Sequence, residues 1–175
     1  MTEQELERLE HLKKHIPSLS SPERGSTCLY VGASKIRCEI YSLLRYKYWE
    51  MILVEAYKPN VDYYEKRGIF DKIYHDTIEH ALSYLPIFNT VVWWHGPEHV
   101  GKESLPGLLQ ELEKHSSRLI VLACPWGIYE QGAYEGNPYE KHLSYLYESD
   151  FLGYNVATLG QIDTKGSNLL AWKNK

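Results

Sequence analysis

The chain has 175 residues, with 19 Lys and Arg against 23 Asp and Glu, a formal net charge of −4. One domain of this size buries about two-thirds of the surface that its unfolded chain exposes, which is enough for a core without a disulfide scaffold. The slight acidity and the lack of a lysine- or arginine-rich block argue against nucleic-acid backbone binding as the main activity.

The N-terminus carries Glu3, Glu5, Glu7, Arg8 and Glu10, where a secretory signal is basic and then apolar. Residues 2–16 read as an amphipathic helix, because Leu6, Leu9, Leu12 and Ile16 recur at helical spacing. Residues 17–25, rich in serine and proline, read as a connector. The organisation expected is an N-terminal helix and connector over 1–25 and a single domain over 26–175. A short apolar strand over 27–31 ends at Gly32, and a helix is expected over 36–48 with Ile36, Ile40, Leu43 and Leu44 on one side. A second strand over 51–54 precedes Glu55, and a helix over 60–67 is closed by Gly68. A weak third strand over 72–74 leads to Asp76 or Thr77 as the cap of a helix reaching about residue 84. The fourth strand spans 90–94, a helix with Leu105, Leu108, Leu109 and Leu112 facing inward spans 103–115, and the fifth strand spans 118–124. That last run is nearly all aliphatic, as suits a parallel strand covered on both faces.

Residues 125–139 form a turn-rich segment in which Trp126, Tyr129, Tyr134 and Tyr139 suggest a packed lid. A helix is expected over 139–147. Two closing strands, 155–159 and 168–172, are joined by a turn containing Gly160 and Gly166 and should pair antiparallel. Strand–helix alternation followed by a hairpin predicts a doubly wound α/β fold with helices on both faces of the sheet. Cys28, Cys38 and Cys124 are odd in number, lack a CxxC spacing and lie in or beside apolar segments. They read as buried, reduced thiols, which fits a cytoplasmic protein.

In such a sheet, ligands bind beyond the carboxyl ends of the strands. The first turn, Val31-Gly32-Ala33-Ser34-Lys35, has one glycine and is neither a GxGxxG fingerprint nor a Walker loop. Glu55 lies at the tip of the second strand, where an acid commonly accepts hydrogen bonds from ribose hydroxyls; the alternative is a surface ion pair with Lys58. Asp76 would accept from an adenine amino group or cap a helix. After the fourth strand come His95, Glu98 and His99. Gly96 and Pro97 break a regular helix between the histidines, so paired zinc ligands are not expected and no metal is assigned. His95 is the first candidate for acid–base chemistry, with Glu98 orienting an imidazole or capping the next helix, and His99 and His142 following as candidates. Trp126, Tyr134, Asn137 and Glu140, with His142 and Ser144 nearby, would suit an aromatic, hydroxylated or sugar-like substrate.

With these residues in view, the chain from Thr27 onward resembles the class I S-adenosylmethionine-dependent methyltransferases. Leu29-Tyr30-Val31-Gly32 looks like the first motif, with Glu55 and Asp76 at the second and third strands. Residues 89–95 look like the fourth-strand motif, and Glu98-His99 with Lys102-Glu103 like the helix start that follows it. The resemblance implies a Rossmann-like sheet of seven strands in the order 3-2-1-4-5-7-6. It implies S-adenosyl-L-methionine as cofactor, with Gly32 and Ala33 beside its methionine part, Glu55 on the ribose, Asp76 and Thr77 flanking the adenine, and Trp94 and His95 at the sulfonium end. The family usually has an acid where Tyr30 stands and two further glycines where this chain reads Ala33-Ser34-Lys35-Ile36. Side chains there would crowd the methionine moiety. The function expected is methyl transfer to a small-molecule or glycan-like acceptor. The rival readings are a binding or scaffold protein on this fold that has lost the cofactor, and another nucleotide-dependent enzyme using NAD or a nucleotide sugar. The expected partner is a small molecule, with no membrane; homodimerisation is left open.

Overall fold

The computed structural model describes residues 12–20, 22–34, 44, 47–159 and 167–175. Most of the helices expected over 2–16 and 36–48, Lys35, Cys38, and the turn with Gly160 and Gly166 lie outside the described residues.

Seven strands form one sheet: β1 (Thr27–Val31), β2 (Glu50–Glu55), β3 (Lys72–His75), β4 (Phe88–Trp94), β5 (Ser116–Pro125), β6 (Asn155–Leu159) and β7 (Asn168–Asn174). Their spatial order is β3-β2-β1-β4-β5-β7-β6, as expected. The first five are parallel, and β7 runs antiparallel between β5 and β6. Apolar side chains alternate across the sheet because successive strand residues face opposite sides. Leu29, Val31, Ile52, Val54, Val91, Trp93, Ile120 and Leu122 join one core. Cys28, Tyr30, Met51, Leu53, Val92, Val121 and Ala123 join the other.

The helices α1 (Pro17–Ser20), α2 (Lys58–Arg67), α3 (Ile78–Ala81) and α4 (Leu105–Lys114) accompany this sheet. The first is a correction: the expected connector begins with a helical turn. Proline is compatible with a first helical position, and Leu19 is drawn into the second core beside Leu12 and Ile16. α2 ends at Gly68, whose φ of 58° is left-handed and whose N–H closes onto Tyr64 and Glu65 carbonyls. α4 buries Leu105, Leu108, Leu109 and Leu112 against the first core. α3 is shorter than expected, although turn hydrogen bonds continue to Leu85.

The expected helix over 139–147 is not formed. Pro138–Glu140 makes a 3₁₀ turn, and the chain then runs extended. Its backbone hydrogen bonds go to other segments: the N–H groups of Leu143 and Ser144 reach the Glu98 carbonyl at 2.8 and 3.1 Å, and Leu146 accepts from Gly127 at 2.8 Å. Burial alternates over Ser144, Tyr145 and Leu146, which is a strand period rather than a helical one.

Candidate functional site

The carboxyl ends of β1, β2 and β4 open into a cavity of about 360 Å³. Such a volume suits a cofactor or small ligand, whose sites run from about 300 to 1,000 Å³. On the β1 side Gly32 has a φ of 66°, and a β-carbon added there would meet no atom within 4 Å, so the backbone lies open. Glu55 is 5% exposed at the end of β2. Its two carboxylate oxygens accept from the Ala33 N–H at 2.7 Å and the Tyr57 N–H at 2.8 Å. A carboxylate offers about four acceptor positions, so capacity for further donors remains. Burial pushes its pKa up, only partly offset by the Ala33, Tyr57 and Asn60 donors. Lys58 pairs with Asp62 instead of Glu55.

Asp76 and Thr77 line the next wall. Thr77 is the N-cap of α3, its hydroxyl accepting from the His80 N–H at 3.4 Å. Asp76 accepts from the Thr77 N–H at 2.8 Å and the Tyr84 hydroxyl at 2.7 Å, and lies 2.6 Å from His80 Nδ1. Tyr84 above all holds the Asp76 carboxyl below its usual range. Asp76 is thus a helix-start organiser that also faces the cavity.

Beyond β4, Trp93, Trp94, His95, Gly96 and His99 complete the floor and far wall. A β-carbon at Gly96 would overlap the Trp93 indole, so the turn requires glycine there. His95 has a left-handed φ of 51°, uncommon for a residue with a side chain. Its Nδ1 lies 3.3 Å from Glu98 Oε1. Glu98 is buried. Burial raises its pKa, but the hydrogen bond and charge of His95 and the charge of His99 outweigh this and hold it below the usual range. An ionised carboxylate only accepts, so His95 donates from Nδ1, and in the neutral ring the lone pair then sits on Nε2, where a general base needs it.

The segment from Asn137 to Leu143 folds back to roof the cavity. Asn137 is 5% exposed and caps the 3₁₀ turn by accepting from the Tyr139 N–H at 3.0 Å. Glu140 lines the cavity beside it.

No protein-family model and no curated protein matches the sequence. Solved structures do match the architecture. The plantazolicin methyltransferase BpumL, in complex with S-adenosylhomocysteine, aligns at TM-score 0.68 and 13% identity over 99% of this chain and 85% of its own. The N-methyltransferase NodS from Bradyrhizobium japonicum WM9 aligns at 0.65 and 11% over 98% and 96%. The N-terminal domain of EvdMO1, crystallised in the presence of S-adenosylhomocysteine and D-fucose, aligns at 0.64 and 14% over 99% and 83%. The chain has the class I S-adenosylmethionine-dependent methyltransferase fold.

On that methyltransferase fold, the departures in the first motif have a visible accommodation. Tyr30 is fully buried in the second core against Phe70, with ring centroids 6.0 Å apart. Ala33 is 1% exposed and packs in the same core. The structure brings Gly32, Ala33, Glu55, Asp76, Thr77, Trp94, His95, His99, Asn137 and Glu140 to one cavity. It places three other candidates elsewhere. Trp126 donates from its indole to Glu148 at 3.0 Å and packs edge-on against Tyr147, outside the cavity lining. Tyr134 is 47% exposed and borders a small neighbouring recess with Ser34, Tyr57 and Asn60. His142 lies behind the lining, against His99 and Tyr129. Sequence reasoning missed Trp93, Lys141 and Leu143 as lining residues. The apolar run ending in Trp93 was a signal for a strand but carried none for a pocket floor.

Among the described residues, no helix is long and apolar enough to cross a membrane.

Proposed function

We propose that this chain binds S-adenosylmethionine across the tips of β1, β2 and β4 and transfers its methyl group to a small-molecule or glycan-like acceptor beneath the lid. The observation that carries this reading is Glu55. A buried carboxylate stands at the end of β2 beside an open glycine backbone, in a cavity of cofactor size. Glu55 would accept the ribose hydroxyls on lone pairs that Ala33, Tyr57 and Asn60 leave free. Gly32 would admit the methionine part where a side chain would fill the space. When bound, the cofactor supplies an electrophilic methyl group.

The protein's own share is positioning and exclusion of water. Trp93 and Trp94 give an apolar floor, and the segment from Asn137 to Leu143 closes above it. His95 Nε2, oriented through Nδ1 by Glu98, would take a proton from an acceptor that must lose one. The EvdMO1 domain, crystallised in the presence of D-fucose, supports a sugar-like acceptor as one class to test. The described thiols, Cys28 and Cys124, are free and buried, which supports a reducing compartment such as the cytoplasm.

Isothermal titration calorimetry with S-adenosylhomocysteine tests the reading. One-to-one binding in the micromolar range is the expected result. No heat at millimolar ligand would end the enzyme reading and favour a scaffold on this fold, in which Glu55 serves only to tie the first turn to β2.

A further inference from the structure

His99 and His142 are distant in sequence and meet in space. The lid segment passes the 3₁₀ turn of Pro97–His99 with Leu143 and Ser144 bonded to the Glu98 carbonyl, and the two imidazole centroids lie 5.1 Å apart. One ligand atom from each of Glu98, His99 and His142 lies within 4.8 Å of the others. Two further features point to a ligand at this junction. Both rings are held at Nδ1 by backbone carbonyls: His99 by Lys141 at 3.1 Å and His142 by Tyr129 at 2.7 Å. A carbonyl only accepts, so each Nδ1 donates and, in the neutral ring, each lone pair lies on Nε2, the outer-shell arrangement that orients metal-binding histidines. Glu98 is 2% exposed, and its Oε2 has no hydrogen-bond partner among the described residues. Its other oxygen, Oε1, lies 4.0 Å from His99 Nε2. A buried carboxylate left with one oxygen undonated is costly, and a cation held by that carboxylate would offset the cost.

We propose that Glu98, His99 and His142 bind one divalent transition-metal cation in the wall of the cavity. Two imidazoles and one carboxylate suit zinc, cobalt or iron(II), whereas magnesium and calcium favour oxygen ligands. Three points within 4.8 Å of one another have a centre no more than about 2.8 Å from each; zinc–nitrogen bonds are about 2.0–2.1 Å, so each ligand closes in by up to roughly 0.8 Å. His99 and His142 are only partly buried, so the closure would fall on their side chains rather than on Glu98. His99 also lines the cavity, so open coordination positions would receive an oxygen of the acceptor, a hydroxyl or carbonyl. That last consequence rests on the methyltransferase reading; the cation site does not.

The test titrates metal-stripped, tag-free full-length chain with Co²⁺, following visible d–d absorption, and then displaces it with Zn²⁺ by calorimetry. One equivalent of Co²⁺ should develop bands that Zn²⁺ abolishes, with no response to Mg²⁺. His99→Ala and His142→Ala should each weaken Zn²⁺ binding at least about 100-fold while the stripped variants keep the parent circular dichroism spectrum. No stoichiometric binding, or binding unchanged in both variants, overturns the site. S-adenosylhomocysteine is titrated in parallel. Cofactor binding without metal binding removes only this inference, and metal binding without cofactor binding removes only the methyltransferase reading.

Discussion

Replacing Glu55 by glutamine separates a cofactor-gripping carboxylate from a purely structural one. Glu55 serves two backbone donors, Ala33 at 2.7 Å and Tyr57 at 2.8 Å, one on each oxygen. Glutamine has a single acceptor oxygen, so whichever way its amide turns, one of those N–H groups loses its partner. An orphaned donor costs about 1–3 kcal/mol. Against this, the neutral amide removes the burial of a charge that already raises the pKa of Glu55. The net expectation is a loss of about 1–2 kcal/mol, or about 2–8 °C in Tm for a chain of this size, read by thermal denaturation. If ribose hydroxyls donate to this group, the charge-assisted bonds are worth about 1.5–3 kcal/mol, so Kd for S-adenosylhomocysteine should weaken by about 10- to 100-fold. A folded Glu55→Gln protein with Kd unchanged within twofold refutes the grip. The pH dependence has a definite sign. Well below the ordinary carboxyl value of 4.5 the group is protonated in both states and its ionisation contributes nothing. As pH rises past 4.5 the unfolded chain ionises first, so stability falls until the folded group ionises too, and is level thereafter. The stability of the parent relative to Glu55→Gln should therefore decline as pH rises from 4.5, in denaturant melts at stepped pH.

Gly96→Ala drives a β-carbon into the Trp93 indole in the cavity floor, and overpacking of this kind costs about 1–3 kcal/mol. Its Tm should fall by at least a few degrees, and an unchanged Tm would show that the turn relaxes freely. Asn137→Ala removes the cap of the lid's 3₁₀ turn, for a loss of about 1 kcal/mol. Trypsin should then cut faster at Lys141, with S-adenosylhomocysteine slowing the cut in the parent chain. Burial raises the Glu113 pKa, but the hydrogen bond and charge of Lys173 outweigh it and leave the carboxyl below 4.5. The stabilisation from this pair is present above 4.5 and lost as pH falls through the lower folded value. Lys173→Met should flatten that acid-side loss, by less than about 1 kcal/mol because the pair is partly exposed.

Four of the five parallel strands were legible because each is a short apolar run covered on both faces, so its boundaries follow composition, whereas β3 is exposed at both ends and the strand order was implied by the family resemblance. Glu55 and Gly32 were legible because strand-tip positions are fixed once the strands are. The lid was not. Tyr139, Leu143 and Leu146 fall at helical spacing, yet nothing in the local sequence announces that the Glu98 carbonyl claims the N–H groups of Leu143 and Ser144. The burial alternation over Ser144, Tyr145 and Leu146 has no counterpart in residue type, because a serine takes one of the buried positions and a tyrosine the exposed one. The same non-local register explains the histidines. Four-residue spacing directs attention to His95 and His99, whereas the ring that meets His99 is His142, delivered by the lid. Contacts made by pairing distant backbone segments leave little trace in periodicity.

The sparse glycine turn after β1 gains a physical account from its surroundings. Glycines in such a turn permit close backbone approach but leave the loop floppy, since glycine loses the most conformational freedom on ordering. Here three consecutive residues are tied from outside the turn. The Gly32 N–H donates to the Val54 carbonyl at 2.8 Å, the Ala33 N–H to Glu55 at 2.7 Å, and the Ser34 carbonyl accepts from the Tyr64 hydroxyl at 2.8 Å. Tyr64 is itself fixed edge-on against Phe70, which also packs against Tyr30. Tyr30 therefore belongs to an aromatic layer bracing the turn from below. Glycine is kept at position 32, where φ is left-handed and the space beyond is open. Ala33 is acceptable because its methyl group faces the packed core. The chain thus exchanges a permissive loop for a braced one, and the carboxylate proposed to hold the ribose is one of the braces, so cofactor binding and the shape of the turn are coupled through Glu55.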